Sequence, residues 1–113
     1  MVVAEFVTVA QLDEIVPGRP KVVEARGIPI ALFNLNGVIV AVSNLCPHEG
    51  GPLAAGRLRG SVIVCPWHRW QFDLLTGVSP TNPALSIRRF SVRIDGDQVM
   101  IDLDGAAAAG LWD

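Results

Sequence analysis

Charge, cysteine and histidine are all scarce in these 113 residues, and tyrosine is absent. Charged residues make up 18% of the chain and leave a net charge of −2, which argues against a broad electrostatic footprint for nucleic acid or an acidic membrane surface. Long hydrophobic runs are missing too: nothing approaches the length of a membrane span. The segment from Met1 to Ala10 carries Glu5 and lacks both a basic start and a long apolar stretch, so it does not read as a signal peptide. The expectation is a soluble, cytoplasmic protein with no nucleic-acid or membrane partner. Two cysteines allow one disulfide at most, and in a chain without a secretory signal a pair spaced with histidines reads as metal binding. No Ser-His-Asp set, P-loop or dinucleotide fingerprint is present, so substrate chemistry within this chain is not expected.

What the chain does have is β-branched and apolar sequence cut by turn residues. Half of it is hydrophobic, which is a globular composition able to bury one modest core. Ile28 to Leu35 and Val38 to Val42 are apolar runs joined by Asn36-Gly37, the pair that most readily adopts the positive φ angles of a tight hairpin. Ile87 to Ile94 and Gln98 to Leu103 flank Asp95-Gly96-Asp97, a second hairpin signal, and Phe90, Val92 and Ile94 can face Val99, Ile101 and Leu103. Shorter strands are expected at Phe6 to Val9, Lys21 to Arg26, Ser61 to Val64 and Gln71 to Leu74, with one helical turn within Gln11 to Ile15. Ser43 to Gly60 is rich in Gly and Pro without a regular period and reads as loop, as does Ser79 to Pro83. The expected architecture is all-β: a single domain over residues 1–113, an antiparallel sandwich or barrel with a loop-rich insertion at about 44–83 and an Ala/Gly-rich tail at 104–113 that frays.

The scarce residues are all in one place. Cys46-Pro47-His48 is followed by sixteen residues and then Cys65-Pro66-Trp67-His68, and this stretch holds every cysteine and histidine of the chain. Two soft thiolates and two imidazoles delivered by two short loops form a ligand set for a metal or an iron-sulfur centre. Zinc accepts such donors, but its usual spacing pairs Cys with Cys and His with His. Here each loop gives one of each, an arrangement that suits a centre with two metal atoms.

The pattern C-x-H-x16-C-x2-H resembles the Rieske 2Fe-2S signature. The resemblance extends from the Asn36-Gly37 hairpin to the Asp95-Gly96 hairpin and includes Gly50-Gly51-Pro52-Leu53, Trp70-x-Phe72-Asp73 and the proline loop at Pro80 to Pro83. It implies a Rieske-like β fold and one 2Fe-2S cluster, with Cys46 and Cys65 on the inner iron and His48 and His68 on the outer. Two ferric irons, two sulfides and two thiolates sum to zero charge, whereas four thiolates would leave −2, so an added electron meets less repulsion with this ligand set. Pro47 and Pro66 lack an N–H and stiffen the loops, so backbone donors to the sulfurs must come from neighbours such as His48, Gly50, His68 and Trp70.

In the respiratory members of the family two further cysteines link the ligand loops, at the places where Gly51 and Trp67 stand here; a serine and a tyrosine offer hydroxyls to the sulfurs where this chain has Trp70 and Phe72. These departures imply a low potential, near ~−150 mV rather than a positive value. Trp67 and Trp70 read as hydrophobic cover. Ring-hydroxylating oxygenases with a Rieske domain also need a mononuclear iron held by two histidines and a carboxylate, and both histidines here are already used. The resemblance therefore implies an electron-transfer component, not an enzyme by itself: a ferredoxin passing electrons from a flavin-dependent reductase to a terminal oxygenase. The small Rieske subunit of NAD(P)H-dependent nitrite reductase, working with its large subunit, is the alternative, and a structural zinc module is a more distant one. Docking is expected through an exposed tip at His48 and His68. Between residues 44 and 76, Arg57, Arg59 and Arg69 stand against Glu49 and Asp73, so that tip reads as close to neutral. Arg69 occupies a place where many such ferredoxins have Gly, and Arg88 and Arg89 read as a solvated strand face.

Overall fold

A computed structural model describes residues 6–46, 51–67 and 69–106, the last three as backbone only. Among the described residues nine strands carry the fold: β1 (Phe6–Gln11), β2 (Lys21–Ala25), β3 (Ile28–Leu35), β4 (Val38–Ser43), β5 (Arg57–Arg59), β6 (Val62–Val64), β7 (Gln71–Asp73), β8 (Arg89–Asp95) and β9 (Gln98–Ala106). Six form one antiparallel sheet in the order β1-β9-β8-β4-β3-β2, curled so that its edge strands β1 and β2 approach each other; β5-β6-β7 form a second, small sheet. The expected all-β, antiparallel architecture is the one observed. Single 3-10 turns stand at Leu12–Glu14, where a helical turn was expected, and at Leu53–Ala55.

The β3–β4 hairpin divides the interior in two. Its turn residues Asn36 and Gly37 have φ of 54° and 93°, the pair of positive angles that a type I′ turn requires. The register that follows sets Leu32 opposite Ala41 and Ala31 opposite Val42. Side chains alternate across the pleat, so Ile30, Leu32, Ile39 and Ala41 enter a core closed by Phe90, Val99, Ile101 and Leu103. Ala31, Phe33, Val40 and Val42 enter another, closed by Leu53, Ile63, Phe72, Leu74 and Ile87, and this second core contains Cys46 and Cys65. An unbroken apolar run is what a strand buried on both faces needs.

Differences from the expected elements are local. β1 runs two residues past Val9 and bulges between Thr8 and Ala10. Arg26 belongs to a turn, not to β2: with φ of 51° beside Gly27 at 77° it makes a second two-residue hairpin between Ala25 and Ile28. β8 starts at Arg89, and Ile87 instead seals the cysteine-bearing core. Val92 and Ile94 face Ile101 and Val99 as expected, but the register jumps from Ser91↔Asp102 to Phe90↔Ala106, so Phe90 does not pair with Leu103. β9 continues to Ala106, beyond the expected end at Leu103. The rest of the C-terminal tail, 107–113, lies outside the described residues. β5 was not expected at all. Its Arg-Leu-Arg sequence has the alternation of an edge strand, with Leu58 turned inward and both arginines exposed, but three residues are too few to register as a pattern.

Candidate metal centre

Two hairpin-like loops carry the cysteines. The first leaves β4 and is closed at its base by Asn44, whose carbonyl accepts the Leu53 N–H at 2.9 Å and whose side-chain oxygen accepts the Ala54 N–H at 2.8 Å. Its own N–H donates to the Pro29 carbonyl at 2.9 Å, which ties the loop to β3. One step further out, the Cys46 N–H donates to the Gly51 carbonyl at 2.8 Å. The second loop is the β6–β7 connection, closed where the Cys65 N–H donates to the Trp70 carbonyl at 2.7 Å, just past the Val64–Gln71 pair. Each cysteine thus sits on a rung of a backbone ladder that fixes the place of its main chain. Asn44 escaped the sequence reading. An amide side chain two residues before a ligand is a signal that could have marked it, because Asn readily bonds to nearby backbone.

The ladders bring the two thiols together. Cys46 and Cys65 are 2% and 1% exposed, and their side chains adjoin in the core built on Phe33, Leu53, Ile63 and Phe72. Burial pushes the Cys65 thiol above its ordinary pKa, the backbone N–H of Trp67 pulls it down, and Cys46 pushes it up again. A buried thiol such as that of Cys65 resists ionisation until a cation neutralises it, which is the behaviour of a metal-ligand cysteine. His48 and His68, the other two expected ligands, lie outside the described residues, as do Pro47, Glu49 and Gly50.

The residues flanking the thiols are closely fitted. A Cβ placed on Gly51 would stand 3.0 Å from the Cys65 sulfur and 3.0 Å from the Trp67 ring, so these three groups touch across the two loops. The two positions that carry extra cysteines in the respiratory type are therefore in contact here, joined by packing. Phe72 is fully buried in the same core as both cysteines and has no hydroxyl to offer them; Trp70 is half-buried against that core. Arg69 has φ of 60°, the left-handed conformation that glycine adopts without strain. Arg89 lies behind β7: burial lowers its pKa, the nearby Asp73 carboxylate raises it, and its Nε donates to the Leu74 carbonyl at 3.0 Å.

Against this geometry, the family model described as the Rieske [2Fe-2S] domain matches residues 5–93. The chain belongs to the Rieske [2Fe-2S] family. Its relatives include the ferredoxin component of the naphthalene 1,2-dioxygenase system of Pseudomonas aeruginosa, 36% identical over 100 residues that span 88% of this chain and 96% of the relative. A chain in the complex of reduced oxygenase and oxidized ferredoxin of carbazole 1,9a-dioxygenase superposes with a TM-score of 0.78 at 26% identity, covering 86% of this chain and 92% of that one. A putative NADPH nitrite reductase small subunit superposes with a TM-score of 0.75 at 23% identity, covering 86% and 97%, which shows a shared fold and no more.

A [2Fe-2S] cluster is the cofactor of this family, and the donor set fits it. The two thiols are buried beside each other, Gly51 leaves the Cys65 sulfur uncrowded, and the base of the site is buried and apolar. When bound, the cluster supplies reversible one-electron chemistry. The chain's own contribution is to hold two thiols on closed loops, to place the backbone N–H of Trp67 near the Cys65 sulfur, and to surround the thiols with apolar side chains.

Proposed function

We propose that the chain is a one-electron carrier with a low-potential Rieske centre, in which Cys46 and Cys65 hold the inner iron and His48 and His68 the outer. The observation that carries this reading is the pair of adjoining buried thiols, each on a rung of a backbone ladder, within a chain of the Rieske family. The low potential rests on the shortage of donors: Phe72 and Trp70 stand where hydroxyls would favour the reduced state. In the same reading residues 1–113 are one domain with a cluster-binding part at about 44–83, working in the cytoplasm. Among the described residues no helix is long and apolar enough to cross a membrane.

As partners we infer a flavin-dependent reductase as donor and the terminal oxygenase of a ring-hydroxylating system as acceptor, met at the His48/His68 tip. The relative at 36% identity, named as a dioxygenase ferredoxin component over nearly its whole length, supports this choice over nitrite reductase. The test is spectroscopic. The purified protein should be brown, contain iron and acid-labile sulfide at two atoms each per chain, show a rhombic electron-spin signal on reduction, and have a midpoint near ~−150 mV. A colourless, spin-silent protein loaded with zinc would overturn the reading, and a midpoint above zero would overturn its low-potential part.

A further inference from the structure

Beside the cysteine loops lies an open groove of about 860 Å³, and its lining is unlike the rest of the chain. Arg57 and Arg59 project from edge strand β5, Arg69 from the second ligand loop, and between them the floor is formed by Cys65, Pro66 and Gln71. All three arginines are exposed, and no acidic side chain lines the groove among the described residues. Asp73 does not offset them there: it lies beside Arg89 and accepts the Leu75 N–H. Asp73 is thus separated in space from the arginines counted with it along the sequence, and these cations gather on one flank of the cysteines; Glu49 lies outside the described residues. The cause is the strand alternation of β5, which places Arg57 and Arg59 on one side and Leu58 in the core.

Charges on an edge strand also discourage sheet-to-sheet association, and that is the blander role these arginines can have. It does not account for Arg69, which comes from a different element, adopts a left-handed backbone, and converges on the same groove beside a cysteine. We propose that the Arg57–Arg59–Arg69 groove is the docking surface for an acidic face of the redox partner, so that the partner approaches the centre from the β5 flank. The proposal rests on the electron-carrier reading and deepens it. Guanidinium groups are suited to this task because they meet carboxylates in a bidentate fork and are weakly hydrated.

The net charge of −2 makes the proposal decidable, because the whole molecule and the groove predict opposite signs. If the net charge governs encounter, an acidic partner is repelled and its rate rises with salt. If the groove governs, the rate falls with salt, since ions screen attraction beyond a Debye length of ~8–10 Å. The assay uses the holoprotein, chemically reduced, mixed with an acidic haem protein, cytochrome b5, and separately with a basic one, cytochrome c; one electron leaves the carrier and converts ferric haem to ferrous. Stopped-flow rates are measured from low to high ionic strength for the native chain and for Arg57→Gln/Arg59→Gln, with the midpoint potential recorded for each.

The expected result is that the rate to cytochrome b5 falls about tenfold with added salt. In the double variant that dependence vanishes or reverses while the midpoint stays unchanged. A rate to cytochrome b5 that rises with salt in the native chain, or an identical salt slope in the variant, overturns the groove. Saturable inhibition by phosphate at constant ionic strength overturns it in favour of a small-anion site. A protein with no reversible one-electron couple fails the carrier reading itself, a separate outcome seen before any partner is added.

Discussion

Adding one carbon at Gly51 should be felt by both ligand loops. A Cβ there stands 3.0 Å from the Cys65 sulfur and 3.0 Å from two atoms of the Trp67 ring, inside the ~3.5–4.0 Å of ordinary contact, so each neighbour must yield by a few tenths of an ångström. The neighbours differ in how easily they can do so. Trp67 is 47% exposed and can swing outward, whereas Cys65 is 1% exposed and held at its backbone by Trp70. Gly51→Ala therefore costs about 1–2 kcal/mol, the lower part of the overpacking range, against a total stability of about 5–15 kcal/mol for an ordinary domain.

The assay is a double-mutant cycle in urea on the holoprotein, with Gly51→Ala, Trp67→Ala and both together, followed by visible absorption. If the indole is the obstacle that gives way, Gly51→Ala costs at most half as much once Trp67 is gone. Whatever cost remains belongs to the sulfur and should appear as a shifted visible band. A neutral Gly51→Ala, or a cost that Trp67→Ala leaves untouched, would refute this account of the contact. Gly56→Ala sets the scale: its Cβ would fall on the Val64 carbonyl oxygen and close to that of Leu53, backbone on both sides, so β5 must part from β6 and the loss should be clearly larger.

Two further substitutions probe the same loops. Arg69→Gly removes a left-handed arginine that costs ~1–2 kcal/mol, and after the extra chain entropy of glycine the holoprotein should gain up to about 1 kcal/mol in urea denaturation; a loss would mean that the Arg69 side chain contributes more than its backbone strain takes away. Phe72→Tyr places a hydroxyl in a fully buried core beside both cysteines, and the midpoint potential should rise if that hydroxyl reaches a sulfur, whereas an unmoved midpoint together with a stability loss of about 1–3 kcal/mol means that it found no partner.

Much of this was legible in the sequence because it is written in short-range signals. Asn36-Gly37 announces its turn, the two long hairpins carry their own alternation, and the cysteines mark the ligand loops unaided. The losses have physical causes. Arg26 looked like the last strand residue because its polarity matched the alternation, but Gly27 alone does not reveal that the residue before it has also turned left-handed. Phe90 has no sequence signal for a register jump opposite residues 103–105. Nor does a sum of charges say where they point: Arg57, Arg59 and Arg69 converge only because β5 folds against β6, and β5 is too short to be read. Asn44 is similar, since its two acceptor contacts are made to residues that follow only after the whole first loop has closed.

The division of the interior explains how one small chain can be both rigid and redox-active. Because β3 and β4 are buried on both faces, Ile30, Leu32, Ile39 and Ala41 help hold a core that contains neither cysteine, while Ala31, Phe33, Val40 and Val42 press from behind on the one that contains both. The first core supplies stability without touching the centre. The second gives the thiols a dry wall, which limits solvent access on the inner side and leaves redox tuning to a few nearby donors. Trp67 and Arg69 on the opposite side are exposed, so the thiols are shielded toward the core while the loop that carries them is open to solvent. A carrier needs that asymmetry, and here it follows from a strand pair with apolar side chains on both faces.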